Sequence, residues 1–181
     1  MTRLPTILVA ACLFLPTALH AQTSSGPSTG SKIEPLKVFA VTGDNAGAEL
    51  DFATKHAGKP AAFLFVQADK FDRPIGRFLK VLDQELSKDR SDVPVIAVWL
   101  TDDVEKSKEY LTRAQSSINL HHIALAVYPG DKNGPQGWAI NTGAHLTVIL
   151  ASENRVTSTF GFRSVNDLDV PNVLAKLPPK K

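Results

Sequence analysis

The clearest pattern along the chain is a pair of short, uninterrupted apolar runs at residues 61–66 and 95–100. Each is followed by a longer stretch in which apolar residues recur every three or four positions. A continuous run of that length suits a strand buried on both faces of a sheet. After the first run, Ile75, Phe78, Leu79, Leu82 and Leu86 define one apolar face of a helix. Pro74 fits the first turn of that helix because its φ is fixed and it has no amide hydrogen to lose, and Asp72 is placed to cap it. After the second run, the offset of three from Asp102 to Glu105 resembles a capping box, and Val104, Leu111, Ala114 and Ile118 mark the inner face of a second helix. Two buried strands, each leading into an amphipathic helix, predict right-handed βαβ connections in an α/β sandwich.

Weaker patterns complete the outline. Residues 36–41 read as a first strand, ended by the turn signal Thr42-Gly43-Asp44-Asn45, and residues 122–128 as another, ended by Pro129-Gly130-Asp131. Residues 146–151 and 156–162 read as an antiparallel hairpin with Glu153-Asn154 at its tip. A last helix is expected over 169–177, with Pro171 in its first turn. Residues 47–57 fit a short strand or a short helix equally well.

The N-terminus has a different character. Arg3 precedes an apolar segment from Leu4 to Leu19 that ends in Ala18-Leu19-His20-Ala21. This is the pattern of a signal peptide, residues 1–21, cut after Ala21, so the chain is expected to be exported to a periplasmic or extracellular space. A rival reading takes Val9-Ala10-Ala11-Cys12 as a lipoprotein box with a lipid on Cys12. Residues 22–32 are rich in Ser, Thr and Gly and read as a flexible leader, and residues 33–181 as one domain. No second apolar run is long enough to span a membrane in the mature chain.

Composition narrows the chemistry. With 181 residues, 43% hydrophobic, the chain can bury a sizeable core, and a net charge of +2 with dispersed Lys and Arg offers no track for nucleic acid. Its single cysteine is Cys12, inside the predicted signal peptide. The mature chain is therefore expected to have no disulfide and no thiolate.

The segment Gly58-Lys59-Pro60, an apolar strand, Phe71, then Asp72-Arg73-Pro74-Ile75 and an amphipathic helix resembles the active-site segment of the thioredoxin-like superfamily, in its redoxin and peroxiredoxin branch. The resemblance implies a thioredoxin-like three-layer α/β sandwich with a central mixed sheet flanked by helices. In that family the four residues are Cys-x-Pro-Cys or a peroxidatic variant. Here both sulfur positions, Asp72 and Ile75, are changed. The family's cis-proline falls by position at Ala144 or His145, where this chain has no proline.

Two readings of function follow. In the first, the chain is a non-catalytic module whose groove, formed by Phe71, Asp72, Arg73, Pro74, Trp138 and His145, binds a peptide or protein partner. In the second, Asp72 and His145, brought to facing loops by the implied fold, form a general-base or metal-ligand pair of a non-redox enzyme or metal-binding protein. The plainer roles for the pair are a helix cap and a surface loop residue. Arg73, near a helix start, could hold an anion. No cofactor is implied and no metal site is assigned: His121 and His122 are adjacent, so in a strand they point to opposite faces. Gly43-Asp44-Asn45-Ala46-Gly47 lacks the Lys-Ser/Thr of a phosphate loop.

The absence of a thiol after Ala21 has a direct test. The purified mature chain, without added cofactor, is expected to reduce no insulin disulfide in a turbidity assay, since it has no dithiol to cycle.

Overall fold

The computed structural model describes residues 23–180. The expected signal peptide and Cys12 lie outside the described residues. The elements are β1 (Lys37–Ala40), β2 (Glu49–Asp51), α1 (Phe52–Lys55), β3 (Ala61–Gln67), α2 (Arg73–Asp89), β4 (Val95–Leu100), α3 (Val104–Ile118), β5 (Ile123–Val127), β6 (Leu146–Ser152), β7 (Arg155–Phe162) and α4 (Val170–Leu174). The strands form one seven-stranded mixed sheet in the order β2-β1-β5-β4-β3-β6-β7. The two apolar runs are adjacent parallel strands, with Phe63 opposite Ile96 and Phe65 opposite Val98. β5 continues the parallel set beyond β4. β6 and β7 form the expected hairpin, and β6 pairs antiparallel with β3. Glu153 and Asn154 at its tip have φ of 54° and 61°, the left-handed values a tight primed turn requires.

Every side chain of β3 and β4 is buried. Alternate residues feed two cores, one on each face of the sheet. On one face, Leu64 and Val66 meet Phe78 and Leu82 of α2, Leu111 of α3 and Val173 of α4. On the other, Phe63 and Phe65 meet Phe52 of α1, Leu36 and Trp138. The Trp138 ring sits 5.0 Å from Phe63 and 5.2 Å from Phe65, and its indole N–H donates to the Pro35 carbonyl at 3.3 Å.

Several expectations are corrected. The ambiguous stretch 47–57 is strand and helix in turn, β2 then α1, with the Asp51 carboxylate accepting the Thr54 N–H to start the helix. α3 is capped by Asp103, whose carboxylate accepts the Lys106 N–H at 3.1 Å. Asp102, the residue expected to cap, instead meets Lys132 at 2.5 Å, because the Thr101 hydroxyl accepts the Asp103 N–H and turns the chain one residue later. The last helix is shorter than 169–177, with a 3₁₀ turn over Asp167–Asp169 before it and i to i+3 bonds from Lys176 and Leu177 after it. His121 and His122 precede β5, His121 exposed and the His122 ring half-buried against the Val93 carbonyl at 2.8 Å.

The stretch expected as a flexible leader is a fixed strap. From Thr23 onwards it crosses the sheet: Thr23 N–H donates to Gly161 O, Gly26 N–H to Ala139 O, and Gly30 N–H to Val156 O. Ser25 is buried, and its hydroxyl bonds that of Thr147 at 2.6 Å while accepting the Asn141 N–H at 2.9 Å. Polar composition did not leave this segment loose, because β7 and the loop before β6 offer backbone partners and Gly161 offers room. A Cβ at Gly161 would run into the Thr23 carbonyl oxygen.

Asp83, on the inner face of α2, is 1% exposed. Its carboxylate accepts three consecutive backbone N–H groups, from His121, His122 at 2.8 Å and Ile123 at 2.7 Å. Those bonds tie the start of β5 to α2. Asp83→Asn turns one acceptor into a donor facing N–H groups and is expected to lower the unfolding free energy by about 3 kcal/mol. Asp89→Asn, at an exposed position of the same helix, should change it by no more than about 0.5 kcal/mol. Urea denaturation of both variants measures the contrast.

Candidate functional site

At the end of β3 the chain leaves the core through a 3₁₀ turn, Ala68–Lys70, then Phe71 and Asp72. Asp72 is extended, with φ −134° and ψ 178°, and its carboxylate accepts the Ile75 N–H at 3.0 Å. It is the N-cap of α2, as expected, with Pro74 in the first turn. Ile75, at the second of the two positions where the resembled family carries sulfur, is 1% exposed and belongs to the core. Both substitutions are thus absorbed structurally, one by the helix start and one by packing.

His145 lies on the same edge of the sheet. Its N–H donates to Phe162 O at 2.7 Å and its carbonyl accepts the Gln67 N–H at 3.1 Å, so its backbone extends β6 between the ends of β3 and β7. No hydrogen bond or ion pair joins its ring to Asp72. Among the described residues there is no cis peptide bond, and no group of three or more His, Cys, Asp or Glu side chains is placed to hold a metal ion. No helix among them is long and apolar enough to cross a membrane.

Phe71 is the pivot of this edge. Its ring packs 5.2 Å from Trp99, near the end of β4, and 6.1 Å from Tyr110 on α3. A cleft opens on each side of it. One, of about 540 Å³, lies over the ends of β3 and β4, between Gln67, Lys70, Thr101 and Lys106. Lys70 there donates to the Thr142 carbonyl at 2.5 Å, and the Asp102 carboxylate holds the Lys132 ammonium above its usual pKa range through their hydrogen bond. Gln67 is 5% exposed, and its amide nitrogen has no partner among the described residues. The other cleft, of about 700 Å³, runs between α2 and α3.

Of the six residues expected in one groove, Phe71 borders both clefts, and Asp72 and Arg73 border the second. Pro74 and His145 line neither. Trp138 is corrected outright: at 1% exposure, inside the core on the opposite face of the sheet, it has no surface to offer a partner. The loop that carries it folds back and uses the indole as its anchor. Sequence reasoning missed Arg77, Lys80, Tyr110 and Arg113, which also border the second cleft. The signal for the first two was present: Arg73, Arg77 and Lys80, spaced by four and three, share a helix face.

No protein-family model matches the chain, and no curated protein is a significant sequence match. Solved structures do match. A thiol peroxidase from Chromobacterium violaceum superposes with a TM-score of 0.56 at 15% identity, covering 87% of this chain and 90% of its own. A peroxiredoxin-like protein from Aquifex aeolicus gives 0.57 at 10% identity, covering 87% and 92%. A secreted Mycobacterium tuberculosis disulfide oxidoreductase homologous to E. coli DsbE gives 0.54 at 15%, covering 78% and 92%. At these identities the likeness is one of fold, and it establishes that the fold is thioredoxin-like.

The geometry of Asp72 predicts the result of removing it. Asp72→Ala should cost about 1 kcal/mol of stability by leaving the Ile75 N–H without its cap, and Asp72→Ser should recover most of the loss. Urea titration of the two variants checks this.

Proposed function

We propose that this thioredoxin-like chain is an exported, non-catalytic binding domain, holding a protein or peptide partner at the strand and helix ends around Phe71. One observation carries the reading. The two positions where the resembled family places sulfur are committed to structure, Asp72 to the cap of α2 and Ile75 to the core, while the clefts on either side of Phe71 stay open. A thiol peroxidase or disulfide oxidoreductase, such as two of the matched proteins, works through a thiolate. The one cysteine of this sequence, Cys12, falls in the stretch read as a cleaved signal peptide. That same stretch supports a periplasmic or extracellular location.

The alternative, a non-redox enzyme or metal-binding protein built on Asp72 and His145, has less support. The Asp72 carboxylate already serves the helix start, and the two side chains share no hydrogen bond. A general base must reach the proton it takes, and this pair has no mutual geometry to activate either member.

Photo-crosslinking in the exporting host tests the proposal. A benzophenone amino acid replacing the exposed Asp69, on the turn before Phe71, should give a discrete crosslinked species. The same group at the exposed Lys59, before the start of β3, should not. Identical patterns at the two positions, or none at either, would overturn the reading.

A further inference from the structure

The cleft between α2 and α3 has an unusual charge arrangement. Arg73, Arg77 and Lys80 stand along the α2 side, and Arg113 stands on the α3 side. All four side chains are exposed, and among the described residues none has an ion pair or hydrogen bond. Four other surface cations are ion-paired, Lys88 with Glu85, Arg90 with Asp92, Lys108 with Glu105 and Lys132 with Asp102, while further ones unpaired among the described residues, such as Lys37, Lys59 and Arg163, border neither cleft beside Phe71. Asp72 is the single acid bordering the cleft, and its carboxylate is engaged by the Ile75 N–H. The floor between the cations is apolar, made by Phe71, Tyr110, Ala114 and Ile118, with Gly76 leaving room beside Phe71. Tyr110 is 40% exposed, one of two large hydrophobic residues with so much open surface among the described residues.

We propose that this cleft binds an acidic peptide segment carrying an apolar side chain, with the carboxylates meeting the cations and the apolar group seated against Phe71 and Tyr110. The inference rests on the binding-domain reading and adds to it the place and the class of partner. Charge complementarity is the argument: four cations against one acid, Asp72, leave a net positive cleft that gathers an anionic ligand, while an apolar floor desolvates and holds a side chain that carboxylates alone would not need. The α2 rim from Arg73 to Lys80 runs about 10 Å at the rise of a helix, enough for roughly three residues of extended chain. A flat lipid surface would reach the exposed cations and Tyr110 but not the half-buried Phe71 and Ile118 or the buried Ala114 between them. A nucleic acid would need basic residues continued along a track, and in the adjoining cleft Lys70, Lys106 and Lys132 stand among the acids Asp69, Asp102 and Asp103.

The probe is a fluorescein-labelled synthetic peptide of Asp and Glu flanking a central Phe, titrated with the mature protein and followed by anisotropy. Saturable binding is expected. It should weaken about tenfold or more with Arg77→Glu combined with Arg113→Glu, and by a smaller factor with the Gln pair at the same positions. It should also weaken with added salt and when Phe in the peptide is replaced by Gly. The changed side chains are exposed, so unaltered thermal melting will show that each variant is folded. Undiminished affinity in the folded charge-reversal variant overturns the site. Equal or tighter binding of phosphatidylglycerol vesicles or a single-stranded oligonucleotide, lost in the same variant, overturns the partner class. Crosslinking at Asp69 that persists while the acidic peptide fails to bind would sink this inference and leave the broader reading standing.

Discussion

Burial of β3 on both faces is the constraint from which the rest of the architecture follows. Its seven side chains are all inside, and its backbone is bonded to β4 on one side and β6 on the other. A strand in that position leaves apolar surface above and below it, so the sheet needs two covers. α2, α3 and α4 supply one. Among the described residues the other has the four-residue α1 as its helix, and is completed by Trp138 and by the strap from Thr23 onwards. The apolar sequence of β3 stops at Gln67, its first polar side chain, and there the chain turns out of the core. The open edge of the molecule is thus fixed by where a hydrophobic run ends.

The start of α2 shows how one helix-end geometry can serve different chemistry. The first turn of a helix presents free N–H groups and a partial positive charge, which in thiol proteins lowers the pKa of a cysteine placed there. In this chain the same potential meets a carboxylate. Asp72 satisfies the Ile75 N–H and neutralises the helix end with its own charge, while Ile75 fills the space beneath. The surface that remains available is lateral, on the flanks of Phe71.

What could be read in the sequence was local. β3 and β4 announced themselves by continuous apolar residues, α2 and α3 by spacing, and the β6–β7 hairpin by its turn, because each signal lies within the element it specifies. The cap of α2 was equally plain, since Asp72 and Pro74 are neighbours. Features that depend on distant partners were hidden. The strap looked like a loose linker because Ser25 and Thr147, which bond each other, are 122 residues apart. Trp138 looked like a groove wall because its acceptor, the Pro35 carbonyl, lies 103 residues away. Asp83 was readable in principle: a carboxylate four residues after Leu79 and three before Leu86, inside an apolar stripe, is an anomaly that asks for a buried set of donors. The basic flank of α2 becomes half of a cleft only when Tyr110 and Arg113 of α3, some thirty residues on, are packed beside it, which no local pattern encodes.

The strap also imposes an order on how the molecule is completed. Its residues are among the first described, yet its partners, Asn141, Thr147 and Gly161, come more than a hundred residues later. A chain emerging from a ribosome or a translocation pore therefore exposes the strap long before there is anything for it to hold. The loop leading into His145 is pinned by Ser24 and Ser25 at Asn141, so it can settle only after the C-terminal hairpin has been extruded and the N-terminal end has returned to it. Such non-local closures are slow steps in folding. The loop beside the open edge should accordingly be the last part of that surface to become rigid, a built-in delay between the appearance of the chain and the completion of that edge.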